Sequence, residues 1–196
     1  MAISAFPETI LNSYEIHEWR HASAILASDF PDELSDILEV LSRFRLCKNF
    51  LTTPGGRKSK VSEWIDSSLY KKGWREKEFD TAFVVDGNPI ESPTHAVDCY
   101  KNRVALEIEW NNKDPFFDRD LNNFRLLFEL RVISVGIIVT RCDSLQVIFD
   151  KLGRGSSFGA STTHLSKLLP KIEGGGGGGC PVLVFGIKDT LYDENC

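Results

Sequence analysis

The sequence predicts an α/β protein built on a mixed β-sheet with helices on its faces. Residues 96–101 and 103–110 have the composition of two strands joined by a tight turn. A strong amphipathic helix is predicted next, at 116–131, and residues 132–140 form a nearly continuous β-branched run, typical of a strand covered on both sides. A hairpin followed by a helical crossover to a further strand combines antiparallel and parallel pairing in one sheet.

The chain before this hairpin is predicted to be mainly helical. Pro31 suits the first turn of a helix over 31–46, and its apolar stripe packs either inside the subunit or on a second copy. The stripe consists of Leu34, Ile37, Leu38 and Leu41. A breaker at 52–56 separates this helix from a shorter one at 61–72, which ends at Gly73. His17 and His21 have helical spacing without the HExxH pattern, which favours a surface helix.

Hydrophobic periodicity and glycine content predict the elements after the hairpin. One buried face of helix 116–131 carries Phe117, Leu121, Phe124 and Phe128. Six glycines at 174–179 predict a flexible connector with no side chain to pack. The remaining predicted elements are a strand at 79–85, a short helix at 145–152, a polar loop at 153–164, a helix at 165–172 and a last strand at 180–187.

Composition excludes several classes of protein. The chain has 196 residues, of which 42% are hydrophobic, so it suits one ordinary domain and not a disordered chain. The longest apolar run, at 132–139, is too short to cross a bilayer. No basic region precedes an apolar stretch at the start, and five scattered cysteines without CxxC predict neither a disulfide framework nor a zinc site. We expect an intracellular protein with reduced thiols.

Charge is divided into blocks along the chain. Residues 1–42 hold eight acidic residues and one basic residue, whereas 43–77 hold ten basic and three acidic residues. Residues 78–120 hold ten acidic and four basic residues, and 141–171 hold five basic and two acidic residues. An acidic centre between basic flanks suits a metal-dependent enzyme that acts on nucleic acid, because phosphate binding needs local positive potential. The alternative is a solvated surface with chance charge fluctuation.

Two carboxylates are predicted to project from one face of the strand at 103–110. Alternation places Val104, Leu106, Ile108 and Trp110 on the apolar face. Glu107 and Glu109 therefore share the opposite face, two residues apart. Such close like charges destabilise a strand unless a cation lies between them, so either a divalent metal is bound there or the acidic face is exposed.

The preceding strand adds a third carboxylate. With a two-residue turn at Lys101 and Asn102, Tyr100 pairs with Arg103, and Asp98 faces Ala105. The diagonal neighbour of Asp98 is then Glu107, and two carboxylates at that spacing can share a metal ion. A register shift of one residue would turn Asp98 to the core.

Asp98, Glu107 and Glu109 resemble the PD-(D/E)xK nuclease motif, with Glu109 at the position of the usual lysine. The string VDCYKNRVALEIEW at 97–110 is similar to type II restriction endonucleases of the BglII/BstYI group, with a BamHI-like Glu-x-Glu ending. Similarity also covers NNKDPFF after the strand, KGW at 72–74 and PVLVFGI at 181–187. It spans roughly 57–150 and 180–188, and the first 30 residues show none.

The resemblance implies a restriction-endonuclease-like core that hydrolyses both strands of duplex DNA at a short palindrome, possibly with a GATC core. It implies Mg²⁺ bound by Asp98 and Glu107, a homodimer without a membrane anchor, and the cytoplasm of a prokaryote. Glu109 would position or deprotonate the attacking water, or help to bind a second metal ion. One domain over 1–196 would then comprise a helical part at 1–56 and a catalytic core at 57–196. The alternatives are a structure-specific repair or recombination nuclease, and a non-catalytic DNA-binding or metal-binding module.

Three polar segments have the donors and acceptors that DNA reading requires. They lie at 57–60, at 111–113 and in the loop at 153–164, and each is equally consistent with an ordinary surface loop. The candidate DNA-binding residues are Lys58, Lys60, Asn111, Asn112, Lys113, Arg119, Arg154, Ser156 and Ser157. Glu76 or Glu78 is a weaker candidate for a further metal ligand, because two solvated acids are the favoured interpretation of these residues.

Overall fold

A six-stranded mixed sheet forms the centre of the computed structural model, which describes residues 3–53, 58–91 and 94–196. Arg57 and most of the predicted breaker therefore lie outside the described residues. In spatial order the strands are β1 (Tyr14–Trp19), β9 (Val182–Ile187), β8 (Val135–Arg141), β7 (Val104–Glu109), β6 (Val97–Lys101) and β3 (Arg75–Lys77). Strands β7, β8 and β9 are parallel, whereas the β1–β9, β6–β7 and β3–β6 pairs are antiparallel. The predicted α/β class with mixed pairing is confirmed.

Helices cover both faces of this sheet. One face carries α1 (Glu8–Ser13), α2 (Ala22–Asp29), α3 (Pro31–Arg43), α4 (Lys48–Thr52), α5 (Lys60–Tyr70) and α7 (Gln146–Lys151). The other face carries α6 (Pro115–Glu129) and α8 (Leu165–Glu173). Outside the sheet, β2 (Leu46–Cys47) pairs with β10 (Tyr192–Asp193), and β4 (Ala82–Val85) with β5 (Asn88–Glu91). Short 3₁₀ helices lie at Ile3–Ala5, Asp143–Leu145, Gly155–Phe158 and Asp189–Leu191.

Strand β7 is buried on both of its faces. Val104, Leu106, Ile108 and Trp110 belong to one hydrophobic core, as their alternation predicts. Ala105, on the acidic face, packs in a second core with Phe117 and other residues of α6. The acidic face is therefore covered by α6, because α6 is the crossover that connects β7 to its parallel neighbour β8. This excludes the alternative of an exposed acidic strand face.

The β6–β7 turn lies one residue later than predicted. Lys101 pairs with Val104, and Asn102 and Arg103 occupy the turn with φ angles of 42° and 68°. Two-residue hairpins favour positive φ at both central residues, and asparagine adopts that conformation readily. The predicted pairings of Tyr100 with Arg103 and of Asp98 with Ala105 were wrong. The register differs by two residues, so the same side chains still share a face.

The N-terminal part contributes a strand to the central sheet. Residues 14–19, with His17, form β1 beside β9, so the predicted surface helix at His17 and His21 was wrong. The part at 1–56 is thus not only helical. Antiparallel pairing with a buried strand accounts for this outcome, since it satisfies the main-chain groups that a helix would satisfy internally. Helix α3 packs Ile37 and Leu41 inside its own subunit, which decides between the two alternatives for this stripe.

Other differences arise from long-range contacts. Cys47 and Cys196 form a disulfide, contrary to the expectation of reduced thiols throughout, because pairing of β2 with β10 brings these distant residues together. The predicted strand at 79–85 is shorter and forms a hairpin with exposed apolar residues. The six glycines form turns and not an unpacked connector, and the last four of them lie against α6: a Cβ atom on Gly178 would lie 2.6 Å from Cγ of Arg125.

Candidate active site

The strands β6 and β7 place Asp98 beside Glu107. Their paired ladder ends at Cys99 and Leu106, so Asp98 and Glu107 are the next residues along the two strands. The main-chain N–H of Asp98 donates to Oε2 of Glu107 at 3.3 Å. Oδ2 of Asp98 accepts a hydrogen bond from the N–H of Ile108 at 3.0 Å. These two bonds fix both carboxylates relative to the sheet.

A buried acidic cluster, formed by Glu107, Glu109 and Asp120, lies between β7 and α6. The exposed fraction is 1% for Glu107, 1% for Glu109 and 0% for Asp120. Burial, followed by repulsion from Asp120, raises the pKa of Glu107 well above its usual range and the pKa of Glu109 to about 9. Burial also raises the pKa of Asp120. The cluster therefore needs positive charge to hold its members ionised.

Two oxygen atoms of this cluster lack the hydrogen bonds that buried polar atoms normally make. Within the described residues, Oε1 of Glu107 and Oδ2 of Asp120 are buried without a hydrogen-bond partner. Such orphaned atoms are uncommon in native proteins, and they often mark a position where an ion or a water binds. The free oxygen of Glu107 is therefore available as a ligand.

Glu109 is held by nitrogen donors on both of its carboxylate oxygens. The side-chain amide of Asn112 donates to Oε2 at 2.7 Å, and Nη2 of Arg119 donates to Oε1 at 3.2 Å. Asn112 and Arg119 were predicted to contact DNA, but in the structure each donates a hydrogen bond to the Glu109 carboxylate of the protein itself. Asn112 and Arg119 nevertheless line the same cavity as Glu109.

This cavity has a volume of about 790 Å³ and lies over the ends of β6 and β7. Asp98, Asn111 and Lys58 line it together with Glu109 and the donors just described. Lys58 forms an ion pair with the buried Asp66 of α5, which holds a second cation, besides Arg119, at this cavity. Cavities of this kind, with convergent polar groups, are the usual location of an active site.

A second groove of about 240 Å³ adjoins the cavity and shares Lys58 and Asn111 with it. Lys60 and Arg154 line this groove together with Asn111, so all three predicted polar segments meet here. Backbone contacts also join the segment after β7 to the polar loop, since Lys113 pairs with Thr162 and the N–H of Thr163 donates to Asn112. The two segments thus form one surface.

Some of the predicted DNA contacts lie away from both cavities. Ser156 and Ser157 are exposed on the 3₁₀ helix Gly155–Phe158 and line neither cavity. The side chain of Lys113 is exposed outside the cavities as well. Lys60 does line the second groove, but it makes an ion pair with Glu63 at the start of α5. These residues are accessible, but the fold does not bring them to the carboxylates.

Sequence reasoning missed three residues at or beside the site, namely His95, Asp66 and Asp120. His95 lines the cavity, as does the weak candidate Glu76, whereas Glu78 does not. Asp66 and Asp120 are buried behind the cavity as partners of Lys58 and Arg119. A signal existed for Asp120, because it lies three residues after one buried aromatic and directly before Leu121, on the buried side of an amphipathic helix.

The chemistry of the carboxylates suits a hard divalent cation. Mg²⁺ prefers oxygen ligands and is commonly held by one or two carboxylates together with waters and substrate phosphates. Asp98 and Glu107 provide two adjacent carboxylates, and Glu107 has a free oxygen. Across the described residues there is no group of three or more His, Cys, Asp or Glu side chains arranged around a metal position. The protein's own carboxylates would therefore supply only part of the coordination.

A hairpin with adjacent carboxylates, a crossover helix over the acidic face and a groove lined by cations define a nuclease with a restriction-endonuclease-like fold. The sequence model of the family described as restriction endonuclease BglII/BglIII matches residues 14–187. The chain belongs to this family, and it is a type II restriction endonuclease, a site-specific deoxyribonuclease that acts on double-stranded DNA. This confirms the resemblance seen at 97–110 and extends it to β1, where none was recognised.

No curated protein sequence matches this chain. Among the described residues, no helix has both the length and the apolar character needed to cross a membrane.

Proposed function

We propose that this enzyme hydrolyses both strands of DNA at a short palindromic site with Mg²⁺, and that Asp98, Glu107 and Glu109 form its catalytic centre. The observation that carries the proposal is the placement of Asp98 beside Glu107, whose buried Oε1 has no partner in the described structure. Asp98 and Glu107 would hold the metal ion. When bound, Mg²⁺ supplies positive charge that polarises the scissile phosphate and acidifies a bound water.

The protein groups have separate tasks in this proposal. Glu109, held by Asn112 and Arg119, orients the attacking water and accepts its proton. Lys58 and Arg154 attract the phosphates of the DNA backbone along the two adjoining grooves. Asn111, at the junction of these grooves, is close enough to the centre to read a base next to the scissile phosphate.

The proposal extends to assembly, specificity and location. A palindrome cut on both strands matches a twofold dimer with one centre per strand, so we propose a homodimer. The family resemblance favours a GATC-cored site and the cytoplasm of a prokaryotic cell. In that compartment the Cys47–Cys196 pair would be open to reduction.

Digestion of plasmid DNA with and without Mg²⁺ tests the proposed reaction. We expect discrete fragments with the metal and none without it, and sequencing of the fragment ends gives the site and the overhang. Smearing or cleavage of branched substrates would instead indicate a structure-specific nuclease, and no cleavage would indicate a non-catalytic module.

Two variants test the proposed centre. Asp98→Asn and Glu107→Gln should abolish cleavage and preserve DNA binding, because each removes a metal ligand without changing the groove. Reduced carboxylate repulsion is expected to maintain or tighten binding in the absence of metal. Asp86→Asn and Glu173→Gln are matched controls at exposed positions outside the cavity. Cleavage near the wild-type rate by either active-site variant would remove these residues from the mechanism.

A further inference from the structure

Arg119 and Asp120 are consecutive residues of α6, the helix that covers the acidic face of β7. Nε and Nη2 of Arg119 donate to Oδ1 of Asp120 at 2.9 and 2.7 Å. Nη2 also donates to Oε1 of Glu109 at 3.2 Å. One guanidinium group therefore joins a residue of the helix to the carboxylate of β7.

The surroundings of Arg119 fix the orientation of its guanidinium group. The ring of Phe116, one helical turn before Arg119, lies 4.3 Å from Cζ of the guanidinium. Only 32% of the Arg119 side chain is exposed, and its partner Asp120 is fully buried. A planar, delocalised cation can stack on an aromatic ring and donate in a fixed fork at the same time, which an ammonium group cannot do.

The positive charge of Arg119 offsets the repulsion between the carboxylates of the acidic cluster. Glu107, Glu109 and Asp120 would repel one another, and among the described residues Arg119 is the basic side chain that forms ion pairs with members of this cluster. Without it, no ion pair would hold Glu109 in place against repulsion from Asp120. Asn112 holds the other oxygen of Glu109 but carries no charge.

We infer that Arg119, anchored by Asp120, is a positioning residue that holds Glu109 in its catalytic orientation, and that it is not a DNA-phosphate contact. This inference rests on the proposed function, because it assigns Arg119 a task in the same reaction. Arg119 acts through Glu109, so its removal lowers the rate of bond cleavage and leaves the affinity for DNA unchanged.

Arg119→Ala, Arg119→Lys and Asp120→Asn test the inference against Arg125→Ala, an exposed arginine on the same helix outside the cavity. The substrate is a duplex that contains the site cut by the wild-type enzyme. Single-turnover cleavage at saturating enzyme should fall by more than about 100-fold for Arg119→Ala, on the scale of a general-base effect. Arg119→Lys keeps the charge but not the fork, so it should recover only part of this loss.

DNA binding without Mg²⁺ separates positioning from phosphate contact. A lost phosphate contact weakens binding and lowers the slope of log affinity against log salt by about one. We expect neither change for Arg119→Ala. A lower salt slope with an unchanged single-turnover rate would overturn the inference and support the DNA contact expected from the sequence.

Two further measurements show whether Arg119 acts through Glu109. In a Glu109→Gln background, Arg119→Ala should have little additional effect, whereas a full additional loss would overturn the inference. Guanidinium ion, well below denaturing concentration, should partly restore cleavage by Arg119→Ala, and urea should not. If Arg119→Ala does not fold, the isosteric Asp120→Asn variant decides the question by the same rate and salt measurements.

The wild-type digest distinguishes failure of this inference from failure of the proposed function. A wild-type enzyme that cuts no DNA with Mg²⁺ overturns both. An active wild-type enzyme whose Arg119 variants cut at the normal rate overturns only the role of Arg119.

Discussion

Glu109 occupies the position at which the nuclease motif usually has a lysine, and its surroundings are those of a carboxylate. It is buried, and nitrogen donors from Asn112 and Arg119 contact both of its oxygens. A lysine at this position would direct its ammonium group at a guanidinium and an amide N–H. The site is thus arranged around a carboxyl group at this position, and a lysine could not replace it without changing these contacts.

The first prediction concerns this residue. Glu109→Lys should reduce cleavage by more than about 100-fold, because a cation would replace the carboxylate and lie against Arg119. Turnover of plasmid DNA measures the effect, and Glu173→Lys, at an exposed position, is the charge-matched control. Activity within about tenfold of the wild type would show that Glu109 serves only as a substitute for the usual lysine.

The second prediction concerns Asp66, the buried partner of Lys58. Burial raises its pKa to about 6 in spite of the lysine. The folded protein therefore binds the proton more tightly than the unfolded chain, so the stability from this group is present below the unfolded pKa and is lost as pH rises through about 6. Asp66→Asn keeps the shape of the side chain and does not titrate.

The free energy of unfolding of Asp66→Asn should accordingly improve relative to the wild type as pH rises. We expect a relative gain of about 2 kcal/mol between about pH 4.5 and about pH 7.5. Denaturant unfolding at several pH values measures it, with Asp86→Asn as an exposed control. A difference that does not depend on pH would contradict the raised pKa.

At the scale of single elements, the glycine segment at 174–179 contains positions where α6 leaves no room for a side chain. Gly178 has a φ of 57°, and a Cβ atom there would meet the aliphatic part of Arg125 on α6. At the neighbouring Gly177, whose φ lies outside the left-handed region, the nearest atom would be a Val182 methyl at 3.4 Å, an ordinary contact. Only some of the six glycines are thus required by the fold.

The third prediction compares these two neighbours. Gly178→Ala should destabilise the protein by about 1–2 kcal/mol, because it combines an unfavourable backbone conformation with a steric conflict. Gly177→Ala should be close to neutral, since it restricts the unfolded chain and meets no close atom. Thermal or denaturant unfolding measures both. Equal effects of the two substitutions would indicate that the segment does not pack on α6 in this way.

At the scale of the whole molecule, the residues that the structure describes contain one cluster of the proposed catalytic carboxylates. One chain can therefore cut one strand in each engagement, and cleavage of both strands at a palindrome calls for a second subunit. Most of the apolar stripe of α3 is not free for this contact, because Leu34, Ile37 and Leu41 are buried in the core of their own subunit.

The fourth prediction concerns this assembly. Sedimentation at micromolar concentration should show two chains per particle, both free and on cognate DNA, since the symmetry of a palindromic site matches a twofold dimer. A monomer under both conditions would instead predict nicking or sequential cleavage of the two strands. Analysis of nicked intermediates in a plasmid digest is the complementary measurement.

Local periodicity in the sequence determined much of the central architecture. The alternation along 103–110 put Glu107 and Glu109 on one face of the strand. The observed register differs from the predicted one by two residues, and such a shift leaves each side chain on the same face of the sheet. Helical spacing likewise identified α6 and its buried side, since one apolar stripe is sufficient to show which side of a helix is buried.

Only the tertiary structure decided what meets that acidic face. Coverage of β7 by α6, and with it the approach of Arg119 and Asp120 to Glu109, depends on the packing of a crossover helix over a particular pair of strands. Pairing of β1 with β9 and the link between Cys47 and Cys196 join residues from opposite ends of the chain. Periodicity describes neighbours along one element, whereas these contacts arise from burial and hydrogen bonding between elements that are distant in sequence.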